Sequence, residues 1–344
     1  MIPRAHRTQK LALIILALAT IFVVKGIVNE TKKTPPLHAY AQGTAKFPYQ
    51  SRALMVPVIR AAYNSPTLAR LASHRVGAFH DPAVWPVSAI GLICIVCTGL
   101  LTLNLYWKTT ITGTLHWLVY PAFLAALVVT FTMHDVSDYL FVYDLPSLLF
   151  FTVGLWLAWE RRFWWLVLLF PIATMNRETT LFLIPLAALL QLDEHWKFKK
   201  RAYPIQLVLM AVSWFVVTRL EQKLFPGVGT DAVYSPMANF KMLINPMHWD
   251  EVFAAAGFLW AVAVFNWKRI PSQRLQRLLL IYPLWFTVML FRGILWESRI
   301  YTELIPMTVV MAVLVLELPK KEESQSLPRE EESSYQQTVG TLAR

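Results

Sequence analysis

The chain has 344 residues, 56% of them hydrophobic, with a mean hydropathy of +0.46, well above the apolar content of a soluble domain. Its formal charge is +11, which in a soluble protein would point to nucleic acid. Here most Lys and Arg sit in short connections between apolar stretches, so membrane orientation accounts for the charge and a nucleic-acid partner is set aside.

The first apolar run, Leu11–Val28, follows Arg4, Arg7 and Lys10. It has the basic flank of a signal peptide but no small-x-small cleavage site, and its length suits a retained anchor with a cytoplasmic amino terminus. Residues 29–83 then form a long first outer loop. Within it Leu54–Ala72 carries apolar residues at helical spacing around Arg60 and Arg70, the pattern of amphipathic helices lying on the outer membrane surface. Further candidate spans are 84–106, 115–133, 145–159, 163–175, 179–192, 203–220, 251–267, 278–296 and 301–318. Cys94 and Cys97 form a CxxC inside the second of the ten spans. With no second pair to complete a metal site, they read as small packing residues.

Three spans, 145–159, 163–175 and 179–192, are shorter than the roughly 20 residues that a ~30 Å hydrocarbon core requires. Residues 163–192 are either one helix about 45 Å long or two short helices meeting at Asn176-Arg177-Glu178. The positive-inside rule decides. With a break, Arg161-Arg162, Lys197–Arg201, Lys268–Arg277 and Lys320-Lys321 all fall on the amino-terminal side; without it the last three clusters move outside. A second outer loop, about 221–249, contains Phe225-Pro226-Gly227-Val228-Gly229 and suits a lid. The tail from Pro319, rich in Glu, Ser and Gln, is expected to be disordered. The expectation is an all-α polytopic membrane bundle of about ten spans in one domain, 1–318. Residues 319–344 form a cytoplasmic tail, so both termini lie on the cytoplasmic side.

Ionisable residues close to hydrocarbon are costly and read by default as functional. Four outer-side groups qualify: His134, Asp135 and Asp138; Tyr143 and Asp144; Asn176, Arg177 and Glu178; and Arg292, Glu297, Arg299 and Glu303. Asp144 serves equally as a helix cap ahead of Pro146. Arg177 and Glu178 serve equally as an ion pair that holds the break. Asp135 and Asp138 beside His134 permit a divalent metal at unspecific spacing; otherwise no cofactor is implied. Taken together, carboxylates that accept a proton and guanidiniums that hold phosphate suit a lipid phosphate at the outer leaflet.

Three short stretches carry a resemblance. Tyr49-Gln50-Ser51-Arg52-Ala53-Leu54, Tyr143-Asp144-Leu145-Pro146 and Asn176-Arg177-Glu178-Thr179 look like those of a group of bacterial polytopic proteins that resembles the GT-C superfamily of integral-membrane glycosyltransferases. The resemblance implies a bacterial inner-membrane enzyme with a long first outer loop, moving a sugar from a polyprenyl phosphate to an acceptor on the outer side. It implies a catalytic Asp in that loop, and the sequence departs there: between Val28 and His80 the one acidic residue is Glu30. Glu30, Asp144 and Glu178 therefore compete as base, with Asp144 and Glu178 as the catalytic pair to test. Arg52, Tyr143, Asn176, Arg177, Arg292, Glu297 and Arg299 are expected to bind substrate. The rival readings are a non-catalytic carrier or assembly factor for lipid-linked saccharides, a polysaccharide polymerase or ligase, and an ion-coupled transporter.

Overall fold

A computed structural model describes residues 4–29, 37–132, 142–193, 195–229, 236–295 and 297–317. The candidate metal group His134, Asp135 and Asp138, the candidate base Glu30, and the 319–344 tail lie outside the described residues. Within them every named element is a helix, and isolated bridges occur at Phe47 and between Leu192 and Phe198.

In chain order the helices are α1 (Arg4–Asn29), α2 (Leu37–Gln42), α3 (Val56–Tyr63), α4 (Pro66–Ser73), α5 (Val84–Trp107), α6 (His116–Thr132), α7 (Asp144–Trp159) and α8 (Phe163–Asn176). They continue as α9 (Leu183–Gln191), α10 (Ala202–Leu224), α11 (Pro236–Ile244), α12 (Trp249–Phe253), α13 (Leu259–Phe265), α14 (Gln273–Leu278), α15 (Ile281–Arg292) and α16 (Ile305–Glu317). Single 3-10 turns precede several of them, including Glu178–Phe182 before α9 and Ser298–Leu304 before α16. Four helical stretches are long and apolar enough to cross a membrane: Val84–Trp107, Ala202–Leu224, Gln273–Arg292 and Ser298–Glu317. These are compatible with a membrane protein. The first loop does fold into short helices, α3 and α4, the latter opened by Pro66 and by Ser65, whose hydroxyl accepts from Leu68 N at 3.3 Å.

A helix that is apolar all round has no face for water and must be buried in protein or in lipid. The helices differ in how far the protein itself supplies that burial. Ile305 to Val315 of α16 are all buried, so α16 is the central rod of the bundle. On α10, by contrast, Ile205, Val208, Val212 and Val216 are each more than half exposed.

Residues 163–192 are broken as the charge distribution requires. Arg177 is extended (φ −163°, ψ 134°), and the chain then turns through the 3-10 segment into α9. The return is complete: Gln191 Nε2 donates to Ala158 O at 3.1 Å, beside the Arg161-Arg162 corner that α8 left. Arg277 Nη1 donates to Leu192 O at 2.6 Å, Arg274 Nη2 to Trp159 O at 3.1 Å, and Lys108 pairs with Glu160 at 2.6 Å. The basic corners thus share one end of the bundle, and the break lies at the other.

The stretch 251–267 departs from the single helix expected of it. Ala256, Gly257 and Phe258 are all left-handed (φ 51°, 66° and 64°), separating α12 from α13. Two of the three are L-residues with side chains, for which this conformation costs roughly 1–2 kcal/mol each. The cause is a close approach to α6: a Cβ on Gly257 would stand 2.8 Å from Ala126 Cα. Gly257→Ala should therefore lower stability by about 2–4 kcal/mol, combining the backbone cost with overpacking, seen as a reduced thermal midpoint in detergent. Ala at the exposed Phe258 should not reproduce that loss.

Candidate functional site

The end of the bundle opposite the basic corners contains a cavity of about 1180 Å³. Its walls come from the first loop, the break at 177–182, the last turns of α10 and α15, and the 3-10 segment 298–304. Beneath it lies a buried ionic network. Asp144, in the first turn of α7, is 1% exposed, and its carboxylate meets Arg177 Nη1 at 3.1 Å through Oδ1 and Arg299 Nη1 at 3.0 Å through Oδ2. Arg177 also reaches Glu303 Oε1 at 3.3 Å, which accepts from Ser147 and Thr179 hydroxyls at 2.7 Å each. Arg299 pairs in addition with Glu297.

Each member is placed by local backbone. Asp144 and Ser147 project from one turn of α7, three residues apart and so on one face. Arg177 is extended because α8 ends at Asn176, whose Nδ2 donates to Tyr143 O at 2.9 Å. The break is closed by Thr180 Oγ1, which donates to Arg177 O at 3.0 Å, and by Trp214 Nε1, which donates to Glu178 O at 2.9 Å. Arg299 and Glu303 lie four residues apart in the 3-10 segment. No side chain caps the start of α7 at Tyr143, so the Asp144 carboxylate is committed to the two arginines rather than to a helix cap.

A second layer faces the cavity. Arg52 grips Glu178 with two bonds, Nε to Oε2 at 2.9 Å and Nη2 to Oε1 at 2.5 Å. Burial pulls the Arg52 guanidinium down, yet Glu178, then Tyr143 and Asp144, hold it well above the ordinary arginine value. It stays charged. The Tyr143 ring carries Arg52 at 4.3 Å and Arg177 at 6.0 Å from its centre, a stabilising cation–π arrangement. The Glu178 side chain is nevertheless 40% exposed and lines the cavity.

The sequence-derived candidates therefore divide. Arg52, Tyr143, Arg177, Glu178, Arg292, Glu297 and Arg299 all line the cavity; Asp144 and Asn176 stand behind its wall. Arg292 is exposed at the rim, apart from the buried network. Three charged lining residues escaped the sequence reading, Lys46, Arg219 and Glu221. Glu221 is buried and accepts from Ala53 N at 3.5 Å, while Arg219 faces the cavity one turn of α10 after Phe215. Among the described residues neither Arg219 nor Arg292 makes an ion pair. The wall carries Lys46, Arg52, Arg177, Arg219, Arg292 and Arg299 against Glu178, Glu221 and Glu297, an excess of positive charge that favours an anionic ligand. No three His, Cys, Asp or Glu side chains gather as a metal site among the described residues.

The roof joins the first loop to the stretch that follows α10. Phe47 N donates to Gly229 O and Val228 N to Ala45 O, both at 3.1 Å. Gly227 is left-handed at φ 69°, where a Cβ would stand 2.5 Å from Ala45 O. Gln50, fully buried, ties the first loop together by accepting from Ala45 N at 3.0 Å and donating to Tyr40 O at 3.3 Å.

Comparison with known family models, curated proteins and solved structures gives no match. The chemistry therefore rests on these side chains. Removing one partner of a buried ionic cluster strands the others, so Asp144→Ala should cost about 3–5 kcal/mol. Glu178→Gln, at a side chain 40% exposed, should cost no more than about 1 kcal/mol. Thermal unfolding of both variants in detergent separates a structural carboxylate from an accessible one.

Proposed function

We propose that the protein is a GT-C-like membrane glycosyltransferase that moves a sugar from a polyprenyl-phosphate donor to an acceptor on the extracytoplasmic side. In this reading all ten apolar stretches cross or enter a bacterial inner membrane, and both termini are cytoplasmic. The observation that carries it is the cavity wall. Guanidiniums without ion-pair partners among the described residues, Arg219 and Arg292, stand over the same space as a half-exposed carboxylate, Glu178, at the end away from the basic corners.

Each group has a distinct task. Arg219 and Arg292 take the lipid phosphate, whose charge they meet by hydrogen-bonded forks. The acceptor hydroxyl attacks the anomeric carbon; its proton passes to Glu178, and the carbon–oxygen bond to phosphate breaks with the electron pair leaving on the phosphate oxygen. Arg52 orients Glu178, and Glu221 is the alternative base behind it. Asp144 acts at one remove, holding Arg177 and Arg299 in place.

The carrier reading has one observation in its favour: Arg52 occupies both oxygens of Glu178. Reconstituted protein distinguishes the two. Arg219→Ala with Arg292→Ala should weaken binding of a polyprenyl phosphate at least about tenfold, equivalent to 1.4 kcal/mol. Glu178→Gln should leave that binding intact and lower transfer about 10²–10⁴-fold. Full transfer by both Glu178→Gln and Glu221→Gln, with binding still dependent on the arginines, would leave the carrier standing instead. The proposed orientation has its own check: a cysteine at Val76, 90% exposed on the first loop, should react with an impermeant maleimide from outside the cell, and one at Lys199 should not.

A further inference from the structure

A second cavity, of about 660 Å³, lies between α12–α13 and α14–α15, with Tyr301 and Leu304 of the 3-10 segment at its back. This volume falls in the range of small-molecule sites. Its polar side-chain atoms are committed within the fold. Trp249 Nε1 donates to Leu243 O at 2.9 Å and Trp260 Nε1 to Phe253 O at 3.0 Å. The Tyr282 hydroxyl pairs with Thr308 Oγ1 at 2.5 Å, and that of Tyr301 donates to Leu295 O at 3.4 Å. An occupant with polar groups would have to leave them unpaired, which is costly. The lining is complementary to hydrocarbon.

Its position says which hydrocarbon. The rim is apolar and open: Trp249, Phe253 and Leu280 are 46%, 40% and 48% exposed. Phe286 and Tyr282 precede Arg292 on α15 by six and ten residues, or roughly 9 and 15 Å along the helix, which is acyl-chain depth if Arg292 marks the headgroup side. The groove is also walled off from the polar cavity. α15 presents Met289 and Arg292 to one and Pro283 and Phe286 to the other. Between them Trp285 is fully buried and stacked on Phe182 with ring centres 4.0 Å apart. A lipid whose phosphate rests among the arginines has no direct route for its tail into this groove.

We propose that the groove holds an acyl chain of a bilayer phospholipid, bound as a structural lipid distinct from any substrate. The groove is also coupled to the polar site, because the 3-10 segment alternates between the cavities: Arg299 and Ile300 face the polar one, Tyr301 and Leu304 the apolar one. A chain seated in the groove therefore braces the segment that carries Arg299 and Glu303. This inference does not depend on the transferase reading and survives its failure.

The test uses the full chain purified in mild detergent. Native mass spectrometry should find a phospholipid retained, and Leu280→Trp and Val252→Phe, which fill the groove from its rim and wall, should lose it while keeping helical circular dichroism. Delipidated wild type should regain its thermal midpoint on addition of palmitoyl-oleoyl phosphatidylglycerol, and Leu280→Trp should not. If neither variant folds, a diazirine-bearing acyl chain on wild type decides, because its crosslinks should map to 249–264 and 279–286. Wild type free of phospholipid, equal retention by folded variants, a polyprenyl lipid displaced in its place, or crosslinks confined to other helices would each overturn the proposal.

Discussion

The cavity end of this molecule depends on one constraint: two guanidiniums and two carboxylates, Arg177, Arg299, Asp144 and Glu303, are all no more than 6% exposed and have to satisfy one another. Charges removed from water are tolerated only when paired and hydrogen-bonded. Here the four come from the start of α7, the break after α8 and the 3-10 segment before α16. Moving any of these segments would strand charge in an apolar surrounding. The ionic cluster thus fixes three chain segments that are far apart in sequence. The hydroxyls of Ser147 and Thr179, both donating to Glu303, add directional bonds where Coulomb attraction alone would be indifferent to angle.

Fixing the framework this way divides the charged residues into two kinds. Arg177 and Arg299 touch the cavity but spend their charge on carboxylates in and behind its wall. Arg219 and Arg292, on exposed helix ends, have no such partner among the described residues. Arg52 and Glu178 are intermediate, a two-bond pair at the cavity surface with one member 40% exposed. Under the proposed reading the buried kind sets the shape and electrostatic background, the exposed kind binds, and the surface pair reacts. Pre-set charges of this sort assist chemistry because they need no reorganisation when it occurs.

The break at Arg177 was legible in the sequence because the cost of misplacing basic clusters acts on the whole chain and leaves a countable trace. The gathering of Asp144, Arg177 and Arg299 was legible for a related reason, since ionisable groups in apolar surroundings are rare enough to seek one another. Arg219 and Glu221 were not. They close an amphipathic helix end in a run of ordinary polar residues, Arg219, Glu221, Gln222 and Lys223, and only the return of the first loop over α10 makes them part of a wall. Arg292 and Arg299 looked equivalent, yet the turn at Gly293, whose oxygen accepts from Asn239 Nδ2 at 3.0 Å, leaves one at the rim and the other buried. The left-handed turn at Ala256–Phe258 was hidden for the same reason: it is set by Ala126, more than a hundred residues earlier, and local propensity carries no sign of that contact.

The roof bears on what kind of molecule the larger cavity suits. Main-chain bonds between Phe47 and Gly229 and between Val228 and Ala45 tie the first loop to the stretch after α10 across its top. On its flank the lining is apolar and outward-facing: Leu181 is 37% and Phe215 55% exposed, and both would meet acyl chains if α10 crosses the bilayer. A water-soluble anion would gain nothing from that flank and would meet the bonded loops first. Under the proposed reading, an amphiphile with its apolar part left in the bilayer and its charge drawn toward Arg219 and Arg292 fits both walls at once.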